Sequence, residues 1–198
     1  MKVPNSAHTS RGWRIHELTP DFRLEDVWVL PTPGGADDFP RLLDIALPDG
    51  QPTLDSPIAR ALFAIRWKLG ALLGWDKPDA GIGSRTGSLL DRLPKDLRES
   101  PSALELHASP FTPLYQLENE FAAEMGNRTV HAVMHLGWVP DGKGGYRGQM
   151  AVLVKANGPL GRAYMMAIAP FRHLFVYPVL MREYEKRWRE TGTAREAG

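Results

Sequence analysis

Apolar positions change period along the chain, and the changes mark out its elements. Leu24-Glu25-Asp26-Val27-Trp28-Val29-Leu30 is rich in β-branched and aromatic residues and predicts a strand. Pro31-Thr32-Pro33-Gly34-Gly35 closes it. Asp37 and Asp38 then cap a short helix reaching about Leu47, with acidic residues at its positive end. Ser56-Pro57 opens a second helix over 57–73, where Ile58, Leu62, Ile65, Leu69 and Leu72 recur at helical spacing before Gly74 stops it. Residues 76–101 mix Pro, Gly, Asp and Lys and predict a loop with one helical turn near Leu89-Leu90. Four strands follow, over 103–109, 114–124, 129–139 and 146–156, the last two joined through Asp141-Gly142-Lys143-Gly144-Gly145 as a hairpin. Over 160–188 the period becomes helical, and Leu160, Tyr164, Ile168, Phe171, Leu174, Phe175, Met181, Tyr184 and Trp188 lie on one stripe. Pro170 and Pro178 fall inside it and predict a bend or a break. Residues 1–11 and 191–198 read as disordered tails, which leaves 12–190 as one domain.

Strands grouped together, with helices before and after, predict an α+β fold and not an alternating parallel one. A curved antiparallel sheet needs its concave face covered, and the terminal helix is long enough to cover it. The expected architecture is thus a helix-grip: two helices after the first strand, a curved sheet, and a long C-terminal helix across it.

Composition narrows the partners. Twenty-four Lys and Arg against 23 Asp and Glu leave a net charge of +1 with no basic arm, so bulk charge gives no case for nucleic acid or an anionic membrane, and nucleic acid is not expected. The most apolar stretch, 168–181, carries Arg172 and His173 and falls short of the roughly 20 apolar residues a bilayer span needs, so stable membrane insertion is not expected. The chain has no cysteine, which excludes disulfides, thiol nucleophiles and thiolate metal sites together. The N-terminal residues lack the apolar core of a signal peptide, and a cytoplasmic protein is expected. Nothing in the pattern specifies an oligomeric state.

The polar residues give no reaction signature. His131 and His135 are four apart, a chelating spacing on a helix. On a strand the same four residues span about 13 Å, too far for one metal to bridge, so both read as sheet residues and no metal is expected. Glu118, Glu120 and Glu124 share strand parity, opposite to Leu117, Phe121 and Ala123, and read as a solvated outer face. The competing reading is an inward glutamate with a raised pKa, able to act as an acid or base. Asp26 reads as a structural partner for an internal arginine, and His173 as a polar group facing a cavity or a freed helix carbonyl. Gly87-Ser88-Leu89 lacks the second glycine of a nucleophile elbow, and Gly81-Ile82-Gly83-Ser84-Arg85-Thr86-Gly87 lacks the lysine of a phosphate loop. No catalytic residue is assigned and no cofactor is expected.

Gly161-Arg162-Ala163-Tyr164, then Ile168-Ala169-Pro170-Phe171-Arg172-His173-Leu174, resembles the C-terminal segment of a bacterial family known as domain of unknown function 2867. The strand Met150-Ala151-Val152-Leu153-Val154-Lys155-Ala156-Asn157 and the early Leu24-Glu25-Asp26-Val27-Trp28 strand fit the same family. That family looks like a branch of the START and Bet v 1 helix-grip superfamily (SRPBCC), and the resemblance implies an apolar cavity between sheet and helix. The aromatic and methionine residues suit such a wall, because methionine adapts to irregular space. Met134, His135, Trp138, Tyr146, Met150, Tyr164, Ile168, Phe171 and Phe175 are the cavity candidates. Three functions follow as expectations: binding of a small apolar lipid- or polyketide-like molecule; a cavity enzyme of the cyclase, dehydratase or hydrolase type using His135, Tyr164 or His173; or an interaction protein using the end of the C-terminal helix, Arg182 to Arg189, against a partner or a membrane surface.

Overall fold

The computed structural model describes residues 1–47, 87–98, 111–126 and 130–196, without the side chains of Leu160, Tyr164 and 193–196. The helix expected over 57–73, the strand over 103–109 and the glycine-rich stretch 81–86 lie outside the described residues.

Among the described residues six antiparallel strands form one open sheet: β1 (Lys2–Val3), β2 (Arg23–Gly34), β3 (Thr112–Gln116), β4 (Glu120–Gly126), β5 (Val130–Pro140) and β6 (Tyr146–Ala156), in the order β1-β2-β6-β5-β4-β3. The β5–β6 hairpin runs from Val130↔Ala156 to Pro140↔Tyr146 without a slip. Its turn is built by Asp141, whose Oδ1 accepts from the amides of Lys143 at 2.7 Å and Gly145 at 3.0 Å. Gly142 and Gly144 there take positive φ, which other residues resist. The expected strand over 114–124 is two strands, β3 and β4, because the chain reverses at Leu117, whose amide donates to the Glu120 carbonyl at 2.8 Å. β2 runs through Pro31 and Pro33 to Gly34, and its register to β6 shifts between Val29 and Pro33. A proline cannot donate to the ladder, and an irregular stretch is where a strand tolerates one.

Helices cover both faces. On one side lie α1 (Ser6–Thr9), α2 (Ile15–Leu18), a 3-10 turn (Leu89–Arg92) and α4 (Lys95–Arg98), packing Trp13, Ile15, Leu18, Leu89, Leu93 and Leu97 against Val27, Val133 and Ala151. Residues 1–11, expected to fray, carry β1 and α1, and His8 is fully buried. On the other side lie α3 (Phe39–Ala46) and the long C-terminal helix. The helix is α5 (Gly158–Phe171), a π turn (Arg172–Val176) and α6 (Tyr177–Glu196), so it continues past the expected end at residue 190.

The π turn sets which side of this helix is buried. Gly161, Met165, Tyr177, Tyr184 and Trp188 face the sheet. Twelve residues separate Met165 from Tyr177, and at about 100° each a regular helix would leave them about 120° apart. One extra residue absorbed by the π turn, closed by the Tyr177 amide donating to the Arg172 carbonyl, brings them back into phase. The expected stripe is corrected accordingly: Leu174 is 68% exposed and Phe175 47% exposed. The interruption falls between the two prolines. Beyond it, α6 is held by Trp188, whose Nε1 donates to the Pro33 carbonyl at 2.9 Å and whose ring carries the Arg41 guanidinium at 3.8 Å.

Candidate functional site

Among the described residues Asp26 is the most heavily partnered buried charge on the long-helix side of the sheet. A β-bulge between Leu24 and Asp26 makes Glu25 an extra residue in β2. Neighbouring strand residues ordinarily point to opposite faces, and the bulge re-aims them so that both carboxylates reach the helix. Arg172 Nη2 lies 3.3 Å from Asp26 Oδ2 and 3.7 Å from Glu25 Oε2. His173 Nε2 lies 3.2 Å from Asp26 Oδ1, Lys2 Nζ lies 2.9 Å from the same oxygen, and the Tyr177 hydroxyl donates to Oδ2 at 2.9 Å. The i→i+5 spacing of the π turn stacks Tyr177 over Arg172, so one turn delivers three of the four partners. Asp26 itself has no exposure, and a buried carboxylate is tolerable only with such pairing. Burial, then the adjacent Asp26 carboxylate, raises the Tyr177 hydroxyl above the usual tyrosine range and keeps it a donor. The cluster is not sealed: the side chains of Lys2 and His173 remain partly exposed.

Asp26 opens a row across the sheet. Val152 pairs with it, Met134 pairs with Val152, and Ala123 pairs with Met134. Val152 and Met134 are half-buried, as are Ala132 and Trp28 beside them, although they stand in the middle of the sheet. Leu136 and Met150, one row on, and Trp138, two rows on, are buried beneath α3 and α6. Above the half-buried strip stand Met165 and Ile168 of α5, with the Trp28 ring 4.6 Å from that of Tyr177. An apolar strip of half-buried residues, ending at a paired charge cluster, therefore lies under the first half of the long helix.

These are the segments whose sequence resembles a single family. The family model described as protein of unknown function (DUF2867) matches residues 18–179. The chain belongs to that family. The matched span takes in β2, β6, α5 and the whole π turn, so the DUF2867 segments 24–28 and 168–174 meet at Asp26. Lys2, His8, Trp13 and His16 lie ahead of it. No curated protein and no solved structure matches this DUF2867 chain.

A second polar network lies on the opposite face, and it corrects the solvated reading of the glutamates. Glu118 is exposed, but Glu120 and Glu124 are buried, because α1, α2 and the 3-10 turn cover this side. Glu120 opposes Gly137 and Glu124 opposes Val133, which places each carboxylate diagonal to a histidine two residues back on β5. His135 Nε2 lies 2.9 Å from Glu120 Oε2, and His131 Nε2 lies 2.7 Å from Glu124 Oε2. His8 Nε2 continues the first pair at 3.2 Å from His135 Nδ1, and Trp13 sits on Gly137, where a side chain would collide with its ring at 2.8 Å. Burial, reinforced by His135, His16 and Arg11, lowers the His8 pKa to about 2, so its ring is neutral. Burial lowers the His135 pKa too, although Glu120 opposes it. Burial alone would raise the Glu124 pKa, but His131, the Ser88 hydroxyl and the Leu89 amide together hold it below the usual range.

Of the cavity candidates, Met134 and Ile168 are half-buried at the strip, and Phe171, also half-buried, has its ring 5.5 Å from that of Phe175. Met150 and Trp138 are buried in solid packing, and Tyr146 is half-buried at the hairpin end. His135 is corrected to the other face by strand parity, and Phe175 to the outside of the π turn. The side chain of Tyr164 lies outside the described residues. Asp26 pairs with an internal arginine as expected, and that arginine is Arg172; Lys2, His173 and Tyr177 were missed as its partners. Adjacent carboxylates at 25–26 and an Arg-His pair inside an apolar helix were the available signal. Among the described residues no group of three His, Asp or Glu could hold a metal ion.

Proposed function

We propose that this DUF2867 protein binds a small, largely apolar molecule, lipid- or polyketide-like, between the sheet and the first half of its C-terminal helix. The apolar body lies along Trp28, Ala132, Met134 and Val152, and a polar end reaches Arg172, His173 and Lys2. The observation that carries this reading is the half-buried apolar strip in mid-sheet, ending at a charge cluster that is paired but reachable. Apolar walls with a few fixed polar groups are the usual design of small-molecule sites. We read the architecture as a branch of the START and Bet v 1 helix-grip superfamily, which agrees with that placement. The charged groups of the cluster are committed to one another, which favours anchoring a ligand over moving a proton.

Binding of the fluorescent apolar probe N-phenyl-1-naphthylamine tests the reading, with native mass spectrometry of protein purified from cells. The probe should bind and be displaced by the co-purified compound. Val152→Trp fills the strip and should abolish binding while leaving the urea midpoint nearly unchanged, and Arg172→Met should weaken displacement by ligands with a polar end. Unchanged probe affinity in Val152→Trp would place the ligand elsewhere, and a wild-type protein that binds no probe would end the proposal.

A further inference from the structure

The outward side of the long helix is the least buried apolar surface among the described residues. Ala163, Met166, Ala167, Pro170, Leu174 and Phe175 recur at three- and four-residue steps along it and all are exposed, Met166 at 72%. Exposed apolar side chains are ordinary when scattered and informative when contiguous. The same stripe continues past the π turn as Arg182, Lys186 and Arg189, also exposed. Over 182–189 four cations stand against two carboxylates, Glu183 and Glu185, which pair with Arg187 and Arg189.

We infer that this stripe docks the protein on an anionic lipid surface, the apolar half entering the headgroup boundary and the basic half meeting lipid phosphates. Adjacent apolar and basic stretches on one helix side are the pattern of a helix lying in a membrane interface. By length and composition the helix Gly161–Gly192 could cross a membrane, but Tyr177, Tyr184 and Trp188 hold its second half flat on the sheet. Lying on the surface satisfies both observations. The inference does not depend on the ligand site, since the stripe faces away from the strip beneath α5.

Co-sedimentation of the full chain with vesicles of phosphatidylcholine and phosphatidylglycerol tests it. The protein should sediment with mixed vesicles, less with phosphatidylcholine alone, and less at high salt. The exposed double substitution Leu174→Ser/Phe175→Ser should lower partitioning by about tenfold or more without moving the urea midpoint. Arg182→Glu/Lys186→Glu should remove only the preference for phosphatidylglycerol. Folded wild-type protein that stays in the supernatant overturns the inference, as does equal partitioning by the serine variant. Sedimentation equilibrium separates the remaining occupant: a dimer that the serine variant dissolves would make this stripe a contact between two copies, not a lipid surface.

Discussion

Deleting Leu174 should leave the protein nearly as stable as before, while deleting Arg182, only eight positions on, should come close to unfolding it. Both residues are exposed, so neither loses packing of its own. The difference lies in phase. Without Leu174 only eleven residues separate Met165 from Tyr177, and a regular helix turning about 100° per residue then places them within about 20° of each other. The π turn becomes ordinary helix, both buried sides stay on the sheet, and the change in stability should stay within about 1 kcal/mol. Removing Arg182 has no extra residue to absorb it. Tyr184 and Trp188 swing by about 100°, off the sheet and away from Pro33, and each large aromatic lost from packing costs about 3–5 kcal/mol. Their sum approaches the whole stability of a domain, about 5–15 kcal/mol. Urea melts followed by tryptophan fluorescence measure both variants. Equal losses would mean that the π turn is not a register device.

His8 should make the fold acid-labile. Its folded pKa, about 2, is far below the ordinary 6.5, so the unfolded chain takes the proton first, and stability falls as pH drops through 6.5 and continues to fall toward 2. The loss is about 1.4 kcal/mol per pH unit, hence about 2 kcal/mol between pH 6.5 and pH 5, and His135 adds to it with the same sign. Urea melts of His8→Leu across that range should show a shallower slope, and an unchanged slope would exclude His8 as the cause. Tyr177→Phe removes the hydroxyl donor from buried Asp26 and should cost about 1–3 kcal/mol, with the aromatic packing kept. A loss under about 0.5 kcal/mol in thermal melts would mean that Lys2, Arg172 and His173 already suffice.

What was legible in the sequence was whatever depends on local period. The hairpin of β5 and β6, the Leu24–Leu30 part of β2 and the helix after it follow from alternation and turn residues alone. The π turn was not legible, because one inserted residue breaks the helical count, and Leu174 and Phe175 then look like continuations of a buried stripe. Glu120 and Glu124 were misread for a different reason. Polar alternation says which residues share a face and nothing about what covers it, and the cover came from residues 1–18 and 88–98, distant in sequence. The matching spacing of Glu120 with Glu124 and of His131 with His135 was a usable signal, since antiparallel pairing of the two strands joins them diagonally. The Asp26 cluster was half legible. Its carboxylate predicted an arginine, but choosing Arg172 required the bulge and the π turn, neither of which leaves a mark in periodicity.

Those two irregularities are each a single surplus residue, one in a strand and one in a helix, and they face each other across the Asp26 cluster. A relative that lacks the strand surplus would turn one carboxylate of the pair to the opposite face and leave its arginine a single partner. A relative that lacks the helix surplus would keep its buried side but narrow the turn. Length differences within the family should therefore occur inside these regular elements as well as in the loops. Aligning such relatives without gaps at 25 and near 174 would assign their carboxylates to the wrong side of the sheet, and comparative structures built on that alignment would inherit the error.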